Sequence, residues 1–472
     1  MSRVAAVDIG ATSGRVLVCS CDGPRLSVEE VHRFPNHPIE AGGRWTWDVD
    51  ALWQHVVEGL RAAIATGPID SWGVDTWAVD YGVVDDEGRL LGPVYAYRDP
   101  RHASGIDAAD ARVPWAVQYA IAGIQRLPFN TAHQLLAEAE PARLESGDVL
   151  LVPDLLMANA TGVRATELTN ASSTALIDAE TMDFSSDLLR DLGLAHVRFP
   201  AVQRPGELRG FTRIEGIPEI PVITVATHDT ASAFAAVPMR DRTRAAVLSL
   251  GTWALIGTEL TSAVRTEAAR EANFTNEIGV ENTVRFLKNV TGMWLFEECR
   301  REWSERDGRD VSVTELLSLA AETGVTNARI DPDDPRWSQP GFGADALAAS
   351  AVGGVPTSRG ALVRCILASI AERIASHLHT LAMLTERRFT VLHVVGGASR
   401  IAPMMQLLAD MTGLEVVAGP AEATALGNAG VQFVANGDFA DITAFRAWLA
   451  GAIEVAHYVP ARDSDPDGGF AR

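Results

Sequence analysis

The stretch VITVATHDTASAFAAV, residues 222–237, decides how the chain is read. It opens on a β-branched apolar run, Val222, Ile223, Thr224 and Val225 behind Pro221, which suits a buried strand. The run breaks at Ala226-Thr227-His228-Asp229-Thr230, and residues 231–236 continue as a helix. Asp229 or Thr230 is the expected N-cap, which places a carboxylate where strand becomes helix. Open α/β sheets keep their ligands at the carboxyl ends of strands, so Asp229 is the first candidate for a catalytic acid or base. A plain capping aspartate is the competing reading, and the rest of the chain decides between the two.

Residues 4–19, VAAVDIGATSGRVLVC, read as two apolar strands joined by a turn of small residues. Asp8 ends the first strand, and Gly10, Ala11, Thr12, Ser13 and Gly14 make the turn. Such residues let backbone N–H groups approach an anion, and the hydroxyls of Thr12 and Ser13 can add bonds. A carboxylate beside a phosphate cradle is a natural seat for hydrated magnesium, which makes Asp8 the candidate metal residue. An ordinary hairpin with an acidic strand end is the alternative. The turn matches neither the G-x-x-x-x-G-K-[ST] loop nor the G-x-G-x-x-G fingerprint, so those two folds are disfavoured.

Residues 245–257, AAVLSLGTWALIG, repeat the design of apolar strand, Gly-Thr turn and apolar strand. Unless the likeness is accidental, two related domains face each other and two hairpins grip one polyphosphate. Residues 390–399 and 416–428 each run from an apolar strand into a glycine-bearing turn and a helix, a side-chain-poor slot suited to a base and ribose. Residues 71–91 read as a hairpin turning at Asp85-Asp86-Glu87-Gly88. Its first arm carries Asp75 and Asp80 among tryptophans, and buried carboxylates need partners. Sugar hydroxyls or a structural salt bridge would both serve. Residues 149–156 read as a strand ending at Pro153-Asp154, and residues 167–174 as a hydroxyl-rich, solvated loop.

A chain of 472 residues exceeds one ordinary core, so two domains are expected, 1–237 and 238–458, with a polar tail at 459–472. The formal net charge of -21 opposes nucleic acid and anionic membranes as partners. Four cysteines without a Cys-x-x-Cys spacing are no disulfide framework. An apolar strand beginning at Val4 leaves no space for a signal peptide, and no apolar run reaches membrane-spanning length. A cytoplasmic protein is expected.

The motifs VDIGATSGR at 7–15, WDVD at 47–50, WGVDTWAVDYG at 72–82, YRDPR at 97–101, LPFNT at 127–131 and THDTASA at 227–233 occur in this order. They are followed by LGTW at 250–253, NFTNE at 273–277, RFLKN at 285–289, HVVGGAS at 393–399 and AGPAEATALGN at 418–428. In this order and over nearly the whole chain, they resemble the FGGY carbohydrate kinases. The resemblance implies an α/β fold of two actin-like (ribonuclease-H-like) domains with ATP and sugar in the cleft between them. It implies transfer of the γ-phosphoryl of ATP, with Mg²⁺, to the C1 hydroxyl of a ketose in a monomer or homodimer. L-rhamnulose is the foremost ketose, with L-fuculose, L-xylulose and D-xylulose as alternatives.

Asp229 then looks like the base, and Ala11, Thr12, Ser13, Gly14, Arg15, Thr252, Glu297 and Gly397 match ATP-binding positions. Ala78, His228, Thr230 and Asn289 match sugar-binding ones. Two departures stand out: Ala78 replaces a usual glycine, and Glu297 replaces a usual glutamine, a negative charge near ATP for which the sequence offers no reason. Two readings from other classes are an actin-like ATPase switch, which would turn over ATP without sugar, and a silent sugar sensor fused to a DNA-binding segment. The acidic charge and the retained Asp8 and Asp229 oppose the sensor.

Overall fold

The computed structural model describes residues 2–324, 326–337 and 341–461. The tail expected to be disordered lies, from residue 462 on, outside the described residues, as do residues 338–340 of the proline-broken loop. The chain forms two compact units. The first comprises Met1–Arg240, Glu259–Phe286 and Ala423–Ile453, and the second Asp241–Thr258, Leu287–Glu422 and Glu454–Arg472.

In the first unit, β1 (Arg3–Ile9), β2 (Ser13–Asp22) and β3 (Arg25–Pro35) form an antiparallel meander. Every residue of β1 from Val4 to Ile9 is buried, the pattern of a strand covered on both faces. Helix α1 (Val49–Ala65) starts at Asp48, whose side chain accepts from the Ala51 N–H at 2.9 Å. It turns Leu52, Val56, Leu60 and Ala63, spaced three or four apart, onto the meander. Strand β4 (Ser71–Thr76) runs parallel to β1, and β5 (Pro221–Ile223) runs parallel to β4. The sheet order is Leu208–Phe211, β5, β4, β1, β2, β3.

Helix α2 (Asp229–Ala235) follows β5, and the helix Ala423–Ala435 packs on α2, β1 and β4. Gly427 lies so close to the Ser232 backbone that a Cβ there would collide with it. The late segments join this unit through buried polar bonds. Asn428 Nδ2 donates to Asp75 Oδ2 at 2.7 Å, and Gln432 Nε2 donates to the Ala5 carbonyl at 3.1 Å. Arg446 Nη1 donates to Glu259 Oε2 at 2.8 Å, both side chains being buried. The units therefore do not follow chain order.

In the sheet that runs through the second unit, β6 (Ala245–Leu250) pairs antiparallel with β7 (Trp253–Leu260), whose other neighbour is β8 (Val284–Thr291), the last two residues of β7 and the first three of β8 counting with the first unit. On its far side β6 pairs parallel with β9 (Val391–Val395), and β9 with β10 (Glu415–Ala418). Each unit thus has a central strand antiparallel to the strand that follows it and parallel to a later one. The likeness of residues 4–19 and 245–257 is a shared topology.

Three expectations change. The first arm of the 71–91 hairpin is broken: β4 ends at Thr76, and Tyr81–Val84 pairs with Asp148–Leu151 in another sheet. Between them Val79 takes φ +73°, and four donors converge on the Asp80 carboxylate, which bends the chain away. The turn at residues 85–88 is present, with the Gly88 N–H donating to the Asp85 carbonyl. Pro153 lies in the first turn of the helix Val152–Thr161, where its missing N–H costs nothing. Residues 167–174 are no solvated loop: Leu168–Ser172 is a buried helix capped by Glu167.

Gly427→Ala should lower unfolding stability by about 1–3 kcal/mol, the usual cost of overpacking, read as a lower urea midpoint.

Candidate active site

Asp229 stands at the end of the strand path that β5 begins. Beyond β5 the chain stays beside β4, with the Thr76 N–H donating to the Thr227 carbonyl at 2.9 Å and a bridge between Thr76 and His228. The helix cap is His228 rather than Asp229 or Thr230, because the His228 carbonyl accepts from the Ala231 and Ser232 N–H groups at 2.7 and 3.0 Å. Asp229 is therefore the first residue of α2. Its Oδ1 accepts from the Thr230 N–H at 2.6 Å and from the Thr230 hydroxyl at 3.1 Å.

Two buried groups hold this junction in place. Glu167 Oε2 accepts from the Thr227 N–H and hydroxyl at 3.1 and 2.8 Å. Arg285 Nη2 meets His228 Nδ1 at 3.2 Å, and its Nη1 lies 3.1 Å from Glu277 Oε2. A guanidinium has no acceptor, so Nδ1 must accept and the ring proton belongs on Nε2, which faces Asp229 Oδ1 at 3.4 Å. Burial, and then the Arg285 charge, hold the His228 pKa well below the usual imidazole value. A neutral histidine thus presents a donor to the candidate base.

Asp229 belongs to a cluster of carboxylates. Asp8 and Asp75 are register partners on the parallel strands β1 and β4, which turns them to the same side of the sheet. Burial first, then the charge of Asp8, raise the Asp229 pKa to about 7. Its side chain remains 31% exposed, which leaves a reactant an approach. Asp75 is fully buried and pushed well above the usual carboxylate range by burial and then by Asp8. Asn428 donates to its Oδ2, while its Oδ1 has no hydrogen-bond partner among the described residues. Arg15 donates to Asp8 Oδ2 from Nε and Nη2 at 3.0 and 2.8 Å. Hard oxygen donors with one buried atom unpartnered are a fitting set for a divalent cation.

The turn between β1 and β2 is held from outside. Asn36 Nδ2 donates to the Gly10 carbonyl at 2.8 Å, and the Asn36 N–H donates to the Thr12 carbonyl at 3.1 Å. Ala11 is half-buried and Thr12 and Ser13 are exposed, free to meet an anion. Gly14 is required by close approach, since a Cβ would collide with the Phe34 ring.

Of the two aspartates in the broken arm, only Asp75 joins the cluster. Asp80 Oδ2 accepts from the Trp47 and Trp77 indoles at 2.7 and 2.9 Å and from the Tyr97 N–H at 3.0 Å. Its Oδ1 accepts from Gln134 Nε2 at 2.8 Å. Neither a salt bridge nor a sugar supplies these partners. Ala78 is half-buried in the irregular segment between Asp75 and Asp80.

Thr252, Asn289, Glu297 and Gly397 belong to the second unit. Thr252 sits in the turn between β6 and β7, and its carbonyl accepts from the Gly292 and Trp294 N–H groups at 3.1 and 3.3 Å, where helix α3 (Trp294–Asp307) begins. Asn289 lies on β8. Glu297 on α3 accepts from Arg300 Nε at 2.8 Å, so the charge that replaces the usual glutamine is met one helical turn later. Gly396 and Gly397 follow β9 and Gly419 follows the adjacent parallel β10, so the two glycine-bearing strand ends do lie side by side. A Cβ on Gly397 would meet no atom of the chain.

Residues 4–235 match the N-terminal domain, and residues 246–436 the C-terminal domain, of the FGGY family of carbohydrate kinases. A rhamnulokinase of Bacteroides thetaiotaomicron is 41% identical over 472 residues, covering 96% of this chain and 95% of that protein. A rhamnulokinase of Enterococcus faecalis is 38% identical, covering 94% and 91%. Two solved structures share the fold at low identity. A xylulose kinase from Lactobacillus acidophilus has a TM-score of 0.80 at 16% identity, covering 98% and 94%. A glycerol kinase from Plasmodium falciparum with ADP has 0.78 at 17%, covering 97% and 94%.

The chain belongs to the FGGY family of carbohydrate kinases. It is a phosphotransferase of the actin-like two-domain fold, with ATP and a sugar as substrates, and ATP use implies a divalent metal.

The residues that sequence reasoning left without a role are Glu167, Glu277 and Arg285. The usable signal was charge inside apolar runs, as with Arg285 between Val284 and Phe286, because a buried charge demands a partner. Arg285→Met would leave Glu277 buried without its ion-pair partner. Urea unfolding should show a loss of about 3–5 kcal/mol.

Proposed function

We propose that this chain is an ATP-dependent L-rhamnulose kinase that forms L-rhamnulose 1-phosphate and ADP. The observation that carries the reaction is Asp229, a partly exposed carboxylate raised to about 7 at a strand-to-helix junction beside the small-residue turn. The rhamnulokinase relatives, similar over nearly the full length, support the sugar. Asp229 takes the proton of the C1 hydroxyl as its oxygen bonds to the γ-phosphorus, and the bond to the β–γ bridging oxygen breaks to release ADP. The neutral His228 orients Asp229 and, with Thr230, Asn289 and Ala78, contacts the sugar. Residues 11–15 hold the phosphates through backbone N–H groups, hydroxyls and Arg15. Thr252, Glu297 and Gly397 hold the remainder of the nucleotide. Mg²⁺, where Asp8 and the unpartnered Asp75 oxygen offer ligands, supplies neutralisation of the polyphosphate charge.

Ala78 supports a second reading, a sister ketose such as L-fuculose, L-xylulose or D-xylulose, because a methyl replaces the usual hydrogen at a sugar position. ADP release from ATP·Mg²⁺ separates the two with these ketoses, L-rhamnulose and glycerol, each against a no-sugar control. A strong preference for L-rhamnulose is expected. Preference for another ketose would overturn the substrate, and equal rates with and without sugar would overturn the kinase. ATP dependence and four buried free thiols support a place in the cytoplasm, and a monomer or homodimer belongs to the same proposal. No helix of the described residues is long and apolar enough to cross a membrane.

Asp229→Asn should retain ATP binding and lose at least ~10²-fold in turnover. The base works deprotonated and its pKa is raised, so kcat/KM should fall as the pH drops through about 7 and level off above it. A profile flat from pH 5 to 8, outside which an unperturbed carboxylate would titrate, would argue against Asp229 as the base.

A further inference from the structure

His32 on β3 and His55 and Glu58 on α1 form a second cluster in the first unit, separate from the carboxylates of the active site. His55 and Glu58 are three residues apart and share one helix face. A β-bulge supplies the third member: Val16 faces His32 while Leu17 faces Glu30, so Val31 is the extra residue. Bulges re-aim side chains, and here His32 is brought against His55. The Phe34 ring stacks on His55, with centroids 4.3 Å apart and planes 10° apart, and fixes the imidazole plane. That ring is the one that excludes a side chain at Gly14.

The three facing atoms make a nearly regular triangle. His32 Nε2 lies 3.2 Å from His55 Nδ1 and 3.7 Å from Glu58 Oε2, and His55 Nδ1 lies 3.4 Å from the same oxygen. Ligands about 2.0–2.1 Å from a tetrahedral zinc ion stand about 3.3–3.4 Å from one another. From this triangle we infer that His32, His55 and Glu58 form a binding site for a borderline divalent transition cation, Zn²⁺ foremost, with the fourth position open to water. Two imidazoles and one carboxylate suit Zn²⁺, Co²⁺ or Ni²⁺ and not Mg²⁺. Glu58 is 57% exposed, so the open position faces solvent. The bound cation would tie β3 to α1, and with them the ring that lies over the phosphate turn. A neutral His32–His55 hydrogen bond without any cation is the competing account of the same contacts.

The test is calorimetric titration of the chelator-stripped full-length protein with Zn²⁺, in excess Mg²⁺ so that the hard-oxygen site is occupied. The expected result is one equivalent bound at micromolar or tighter affinity. His55→Gln and Glu58→Gln, both on the helix surface, should each weaken binding by at least ~10-fold, while Asp229→Asn should leave it unchanged. Co²⁺ in place of Zn²⁺ should give the visible absorption of a tetrahedral site, lost in His55→Gln. One equivalent of Zn²⁺ should raise the Tm of the unaltered protein but not that of His55→Gln, whose turnover with ATP·Mg²⁺ should stay normal. No binding below millimolar Zn²⁺, or binding that survives both substitutions, would overturn the site.

Discussion

The site depends on how little positive charge faces one cluster of carboxylates. Asp8, Asp75 and Asp229 act on one another at the carboxyl end of one sheet, and Arg15 donates to Asp8. In a low-dielectric surrounding such a cluster resists full ionisation, which is why burial and the charge of Asp8 lift both Asp75 and Asp229. The same deficit of positive charge makes a carboxylate that ionises near neutral pH, suited to receiving a proton. It also leaves an oxygen, Asp75 Oδ1, for a hard cation to find. The site is built around electrostatic tension.

That tension has to be carried by rigid neighbours. Parallel pairing of β1 and β4 sets Asp8 beside Asp75, and helix Ala423–Ala435 supplies Asn428 from the far end of the chain to satisfy one Asp75 oxygen. Glu167 anchors Thr227, and the Glu277–Arg285 pair directs His228, so the residue before Asp229 is fixed on both sides. Each of these partners is itself a buried polar group with bonds to satisfy. The network is therefore specific rather than merely stabilising, since a half-satisfied network would be worse than an apolar core.

Much of this was legible in the sequence. The two strand–turn–strand units at residues 4–19 and 245–257 are strands of the expected kind, because a short apolar run bounded by a turn of Gly and Thr reads as a buried strand. The paired glycine turns after β9 and β10 were readable for the same reason. Asp80 was not. A carboxylate beside tryptophans suited sugar hydroxyls and a structural salt bridge equally, and the deciding donors come from Trp47, Tyr97 and Gln134, remote in sequence. Residues 167–174 failed likewise: hydroxyl groups look solvated until a buried Glu167 collects them.

The sequence by itself determined most of the elements and the family, and it marked Asp8 and Asp229 as the candidate chemical residues, because periodicity, turn composition and local motifs are properties of neighbours along the chain. Only the tertiary structure decided which carboxylate is surrounded by donors of the chain, as Asp80 is, and which stays partly exposed, as Asp229 does. It also decided that His228 rather than Asp229 caps the helix, and that the charge of Glu297 is met by Arg300. Those outcomes rest on burial and on partners brought from distant segments, such as Asn428 to Asp75 and Arg285 to His228. Burial and long-range pairing set the free energy of a charge, and neither is written in the spacing of residues along a strand.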